Sequence, residues 1–422
     1  MKRKSIVLFL MVICISMTAC GTSDAGSAGN SGNTDKQSST DNAGAVTDGV
    51  DSSDSGSTGT AAGISGILDT DSIFTERDLA QEADVSGAQG IEVSDGKTID
   101  ITDEGVYLIS GTAKNCTVKV NAGDTDKVQL VLDGVTVTND NFPVIYVVEA
   151  DKCFVTTTEQ KSSLTVTDTF TSDGDTDTDA VVFAKQDLTL NGMGSLEITS
   201  TQNAVTAKDD LKITGGTYSI NAGKHAFEAN DSISVSDGVF EIKCTKDGFN
   251  CGNNDDETVG WTYISGGSVN IDSSSDGIST ASLLQVDGGN IDITSAEGLE
   301  ATYIQINAGN ISINASDDGI NATDKCNGQY KIGVEFNGGK TDIVMGSGDV
   351  DGVDSNGSIY VNGGTVNVTI SEAGMSMAFD FDETAEINGG EVFVNGEKIT
   401  EISASTPGGM TPPDKKDVGK GF

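Results

Sequence analysis

The chain has 422 residues, enough for two ordinary domains or one long repetitive one, with 53 glycines, 4 prolines, 1 histidine, 1 tryptophan and only Arg3 and Arg77 as arginines. Its formal charge of −41 becomes −44 once the first twenty residues, which hold Lys2, Arg3 and Lys4 and no acid, are set aside. Such a balance excludes charge-driven binding to nucleic acid or to an anionic membrane surface and instead attracts hard divalent cations.

The N-terminus, MKRKSIVLFLMVICISMTAC, has a basic start, an apolar run too short for a comfortable membrane span, and small residues up to Cys20. Residues 1–20 therefore read as a secretory signal. The closing MTAC resembles a bacterial lipobox, which implies cleavage and lipidation of Cys20; an ordinary signal with a chance cysteine is the alternative. Residues 21–65 are Ser, Gly, Asp, Asn and Thr with almost nothing apolar, a composition that reads as a flexible tether, and residues 404–422 are similar. The expectation is an extracellular monomer attached to the bacterial cell membrane only through the lipid on Cys20. Five cysteines remain, Cys116, Cys153, Cys244, Cys251 and Cys326, an odd number without CxxC spacing. Cys244 and Cys251 are one candidate pair, but buried free thiols fit better.

Residues about 66–190 alternate apolar and polar in DKVQLVLDGVTVTN and FPVIYVVEADKCFVTTT, with irregular turns, and IFTERDL (Ile73 to Leu79) is expected to cap the N-terminal end of a strand stack. From Leu188 onward the sequence repeats. Tight-turn pairs ending at Gly216, Gly238, Gly267, Gly289, Gly309, Gly339, Gly364 and Gly390 are spaced 22, 29, 22, 20, 30, 25 and 26 residues apart. Each unit of about 22 residues holds three short strands, as in IQIN, NISINA and GINA between Ile304 and Ala322. Period two places Ile304, Ile306, Ile311, Ile313, Ile320 and Ala322 on one face. A short circuit of strands that repeats in register is solved by a coil stacked on its own copies. The predicted fold of residues 66–403 is all-β, a right-handed parallel β-helix with three sheets, in which one glycine per corner needs φ > 0.

Stacking aligns an outward column just before the third strand: Asp179, Asn203, His225, Asp247, Asp276, Glu297, Asp318 and Asp351. A second column follows, Thr206, Glu228, Asn250, Ser279, Glu300, Asn321 and Asp354. Carboxylates on adjacent rungs about 4.8 Å apart repel by about 0.9 kcal/mol in a water-like dielectric and about 3.5 kcal/mol at an effective constant of 20. Ca²⁺, which takes six to eight oxygens and can bridge carboxylates of adjacent coils, is the natural candidate to offset this repulsion. Candidate ligands are Asp247, Asp276, Glu297, Glu300, Asp317, Asp318, Asp351 and Asp354, with Glu297–Glu300–Asp318 and Asp318–Asp351–Asp354 as clusters. Solvated turn acids at the corners are the competing reading.

Asp317–Asp318 is an adjacent acid pair of the kind glycosidases use, and β-helices often carry pectate lyases and polygalacturonases. The bases those enzymes need are poorly matched here: Arg77 lies far from the ladder in sequence, His225 is outside a Gly-His-Gly, and only Lys246 and Lys325 lie near the acids. The expectation is therefore a protein without catalysis, with a lyase or hydrolase as the alternative and a rigid adhesin or spacer as the second. Trp261, Tyr263 and Tyr303 near coil corners are candidates for a sugar-stacking platform, against coil-to-coil packing for each singly.

The segments DTDKVQLVLDGVTVTN, AKQDLTLNGMGSLEI, AKDDLKITGGTYSI, GLEATYIQINAGNISINASDDGINA and DGVDSNGSIYVNGGTVNV together resemble the secreted carbohydrate-binding β-helix proteins of clostridia over about residues 66–400. The family's Asp-Gly-Ile turn matches Asp247-Gly248-Phe249, Asp276-Gly277-Ile278, Asp318-Gly319-Ile320 and Asp351-Gly352-Val353, while Asn203-Ala204 and His225-Ala226 depart from it. The resemblance implies bound calcium and binding of cellulose and acidic plant cell-wall-type polysaccharides such as polygalacturonate. Calcium bridging the carboxylates of protein and glycan would reconcile an acidic protein with an acidic ligand.

Overall fold

The computed structural model describes residues 68–253, 259–328, 330–348, 350–371 and 376–403, all within the unit spanning 60–422. The signal segment, Cys20, the tether and the C-terminal tail lie outside the described residues.

The two-residue alternation of the sequence becomes three columns of stacked parallel strands. In one circuit Tyr303–Ile306, Asn310–Ala315 and Ile320–Ala322 follow one another. The first pairs with Leu283–Val286 before it and Gly333–Phe336 after it, the second with Asn290–Ser295 and Lys340–Met345, the third with Glu297–Ala301 and Asp351–Ser355. Ile304, Ile306, Ile311, Ile313, Ile320 and Ala322 are all buried, as the alternation requires. Two columns join into one 24-stranded sheet and the third forms a 12-stranded sheet. The joining occurs in the early coils, where Lys127–Asn139 is a single long strand pairing with both Lys152–Thr157 and Ser162–Val166. Its Gly134 has φ 71°, so one glycine bends a continuous strand where later coils use a two-residue turn.

One continuous apolar core runs from Val93 to Ile402. At its centre Tyr218 stacks on Phe240 and Phe227 on Phe249, with centroids 5.2 and 5.1 Å apart, and the two pairs meet edge to face. Aligned aromatic pairs of this kind each add about 0.5–1.5 kcal/mol beyond their burial. Cys116, Cys153, Cys244, Cys251 and Cys326 are free and buried.

The second glycine of every predicted turn pair, from Gly216 to Gly390, has positive φ. The glycine of the Asp-Gly-Ile turn works differently. A Cβ on Gly319 would lie 2.5 Å from Gly352 O and 2.5 Å from Ile343 Cγ2, and no positive φ is recorded there. Gly319 is thus required by close backbone approach between rungs, not by backbone conformation. The last strand pair, Glu391–Val394 and Glu397–Ile399, is antiparallel and turns through Asn395 (φ 51°) and Gly396 (φ 80°), an Asn-Gly hairpin on the final rung.

The segment Ile73 to Leu79 does not cap the end of the stack. It lies as a strap across the flank of the 24-stranded sheet, with a short helix Glu76–Leu79 held by a capping box between Thr75 and Asp78. The reason is chemical: its Asp78 is fully buried against Lys152 and Lys212 of two separate strands.

Candidate functional site

From Asn203 to Asp351 the outward column at the corner before the third strand forms as its spacing predicts, whereas Asn203 pairs in register with Ala180 and leaves Asp179 one residue off it; the column's first role is to hydrogen-bond the backbone of the next coil. The His225 N–H donates to Asn203 Oδ1 (3.1 Å), Asp276 N–H to Asp247 Oδ1 (3.1 Å), Asp351 N–H to Asp318 Oδ1 (2.8 Å) and Met377 N–H to Asp351 Oδ1 (2.8 Å). His225 Nδ1 faces both the Asp247 N–H and Asp247 Oδ2 at 3.2 Å; the neutral ring accepts the first, the protonated ring donates to the second. One oxygen of Asp247, of Asp318 and of Asp351 is thereby committed to structure, and because Asn203 and His225 make the equivalent bond, Asn and His also fit the column.

Cations of the chain itself meet several of these acids. Lys208 Nζ lies 3.2 Å from Glu228 Oε1, and Lys325 Nζ binds Glu300 and lies 2.7 Å from Ser279 Oγ. Burial raises the Asp247 carboxyl, but hydrogen bonding and charge from His225, helped by the Asp276 N–H, bring it below the usual range. Where no such partner reaches, burial and crowding win. Burial pushes Asp276 up to about 7, helped by Asp247, Glu300 and Glu297. It does the same for Glu297, with Glu300, Asp318 and Asp317 contributing against one hydrogen bond from Asn321. Asp317 itself is exposed beside the column.

Among the described residues, the closest gathering of acids sits lower, and one of its members is absent from the sequence expectation. Asp351, Asp354 and Asp380 each bring a carboxylate oxygen within 4.8 Å of the others. Asp354 pairs in register with Asp380 on the next strand, and burial together with Asp318, Asp380, Asp351 and Asp382 raises its carboxyl to about 6. Asp380 thus joins Asp351 and Asp354 from one rung on, while the expected Asp318 acts on Asp354 from one rung back. The signal was available: FDFD at 379–382 continues the alternation, but its rung carries Met377-Ala378 in place of Asp-Gly, which hid the alignment. Three hard oxygen donors at this separation suit Ca²⁺, which tolerates irregular oxygen shells and adds waters.

The aromatic candidates do not form an open platform. Tyr263 and Tyr303 are 6% and 4% exposed. Tyr263 donates to Asp287 Oδ2 (3.1 Å) and lies under Phe74 of the strap at 6.4 Å, while Tyr303 covers the Cα of Gly333 on the next rung. Trp261 alone of the three is partly exposed, lining a cavity beside the strap. Sequence reasoning missed the basic strip beneath that strap, Lys152 and Lys212, because its two lysines are 60 residues apart and only the coil geometry aligns them.

A family profile described as carbohydrate-binding domain-containing protein matches residues 95–352. A protein of that same description from Acetivibrio thermocellus is 30% identical over 146 residues, 33% of this chain and 50% of the relative, so the match spans about half of that relative's length. A solved structure described as a polysaccharide lyase-like protein from C. thermocellum, a gadolinium derivative, aligns with 72% of this chain and 99% of its own at 21% identity and a TM-score of 0.41.

Proposed function

The chain belongs to the carbohydrate-binding domain family, and from that membership we propose a non-catalytic cell-surface lipoprotein that binds acidic polysaccharide through calcium held on its corner column. The fold belonging to this reading is a right-handed parallel β-helix, supported by three columns of parallel strands at one circuit per rung. The observation that carries the proposal is the Asp351–Asp354–Asp380 triad. An acidic chain repels an acidic glycan unless a cation is shared, and this triad presents three oxygens to such a cation on an outward corner. Ca²⁺ bound there would supply open coordination positions for a uronate carboxylate. The chain's own part is to hold the three carboxylates: Asp351 is fixed by the Met377 N–H, and Asp380 accepts from the Phe381 N–H (3.0 Å). The upper cluster is assigned no metal, because Lys325 already neutralises Glu300.

Attachment through lipid on Cys20 places the domain on the outer face of a bacterial membrane in this reading, reached by the tether of residues 21–65. The absence of catalysis is supported by the engagement of Lys325 with Glu300 and Ser279, which leaves that lysine occupied as a base. The test is retention on immobilised polygalacturonate and on cellulose, with Ca²⁺ and with chelator. The expected result is calcium-dependent retention on the first and chelator-insensitive behaviour on the second; equal retention on polygalacturonate in both conditions overturns the bridge. Formation of unsaturated product or new reducing ends during the incubation overturns the non-catalytic assignment.

A further inference from the structure

The strap formed by residues 73–81 covers a groove that has the chemistry of its own ligand. On the outer face of the 24-stranded sheet, Phe154, Thr189, Lys212, Ser234 and Tyr263 stand in register on five successive rungs. At about 4.8 Å per rung the row is roughly 19 Å long. An aromatic ring ends it on each side, and both rings are occupied by the strap: Phe74 lies on Tyr263, and the Arg77 guanidinium sits 4.4 Å over Phe154. Between them the Asp78 carboxylate lies 2.9 Å from Lys152 Nζ, 3.9 Å from Lys212 Nζ and 2.7 Å from Thr189 Oγ1. Asn191 Nδ2 and Thr214 Oγ1 donate to the Asp78 carbonyl.

We propose that this row is a second polysaccharide-binding groove, selective for a carboxylate-bearing sugar chain, and that Asp78 occupies its carboxylate position as an internal pseudo-ligand. Two independent observations support a removable cover. Apart from Phe74 on Tyr263 and Arg77 over Phe154, the strap is held by polar contacts: its buried Ile73 joins no hydrophobic cluster, its other buried residue is Asp78, and Leu79 is 48% exposed. Cavities also open at both of its edges. One of about 260 Å³ is lined by Ile73, Asp210, Lys212 and Trp261, and the other of about 310 Å³ by Gln81, Thr156, Thr158 and Met193. Lifting the strap joins them into one trough with Trp261, Tyr263 and Phe154 as stacking faces and two lysines at its floor. In a chain of charge −41, two lysines converging on one buried carboxylate form a site built for an anion. This groove rests on the polysaccharide reading above but needs no calcium, which makes the two separable.

The test uses the full chain with Asp78→Asn, which keeps the side-chain shape, and the double variant Asp78→Asn/Lys212→Gln. Binding of oligogalacturonate is measured in chelator, and hydrogen exchange of residues 73–81 is followed in the unsubstituted protein with and without the sugar. The expected result is a gain of at least tenfold in chelator-insensitive affinity for Asp78→Asn, lost again in the double variant, with exchange of the strap accelerated by oligogalacturonate. Unchanged affinity of folded Asp78→Asn together with an equally protected strap overturns the groove and makes the strap a permanent clamp, to which the fit of Gln81 against Gly192 N (3.0 Å) also belongs. Calcium-dependent binding that persists in such a case leaves the triad reading standing; loss of all oligogalacturonate binding in calcium removes that reading instead.

Discussion

The upstream and downstream halves of the corner column use one backbone device with different charge partners. In both, a side chain accepts the backbone N–H of the residue one coil on: Asn203 and His225 do so above, Asp318 and Asp351 below. Above, Lys208, His225 and Lys325 meet Glu228, Asp247 and Glu300. Below, Asp351, Asp354 and Asp380 converge on each other. The difference teaches that a ladder of acids is a folding feature first. The proposed ligand site falls where acids lie on both outward columns of adjacent rungs and converge on one another.

The coils also differ in what their backbones tolerate, and this is the most damaging place to intervene. After Asn203 and His225 the next residue is Ala204 or Ala226, whereas from Asp247 onward it is Gly248, Gly277, Gly298, Gly319 or Gly352. A Cβ on Gly298 would sit 2.3 Å from Gly319 O and 2.5 Å from Ile313 Cγ2. Gly298→Ala should therefore cost about 3 kcal/mol, read as a lowered denaturant midpoint, through overpacking against a backbone that cannot yield. Ala226→Gly, at the matching upstream position, should cost only about 1 kcal/mol. Equal losses at the two positions would remove the distinction.

Calcium affinity sharpens the comparison next. Asp380→Asn should weaken Ca²⁺ binding at least tenfold by calorimetry, about 1.4 kcal/mol. Asp276→Asn, in a rung to which the proposal assigns no metal, should leave it unchanged. A loss centred on Asp276 would move the site to the upper half.

Acidity separates the halves by a smaller margin. Asp276 and Glu297 are raised to about 7 and Asp354 to about 6, chiefly by burial. A carboxyl whose folded value lies above its unfolded value of about 4 penalises the folded state as it ionises. In chelator, stability should thus be highest near pH 4–5 and fall as pH rises through about 7. These groups are partly solvated, so solvent screening discounts the loss to roughly 1 kcal/mol per group. Saturating Ca²⁺ should flatten the part belonging to Asp354 and leave the part belonging to Asp276 and Glu297. A midpoint of thermal unfolding that rises with pH in chelator would contradict these assignments.

Much of this was legible in the residues. The strands of the circuit at Ile304–Ala322 and the left-handed glycine of every turn pair followed from alternation and spacing, because a half-buried strand writes its period directly into the chain. The column was legible too, since a fixed repeat makes equivalent residues stack. What stayed hidden depended on distance in three dimensions. Asp380 was masked by a rung in which Met377-Ala378 replaces Asp-Gly. Gly319 was read as a turn residue, when the nearness of Gly352 O is what excludes a side chain. Asp78 carried no signal of its own in the sequence, because only folding brings Lys152 and Lys212, 60 residues apart, onto it. Tyr263 suggested a sugar platform, but nothing local said that Phe74 would cover it.

The smallest effect tests the rule itself. If Lys325 substitutes for a metal at Glu300, then Lys325→Gln removes a charge from a rung that already holds Glu297 and Asp318 nearby. Its pairing with Glu300 is partly exposed, so the loss of stability in chelator should be below about 1 kcal/mol. The informative change is in metal stoichiometry. With its own cation gone, the Glu297–Glu300–Asp318 rung takes on the character of the lower one, and titration should reveal an additional weak Ca²⁺ site that restores the lost stability. Combining Lys325→Gln with Asp380→Asn isolates that new site from the lower one. An unchanged stoichiometry in the single variant would mean that rung geometry, rather than the presence of an internal cation, decides where this column binds metal.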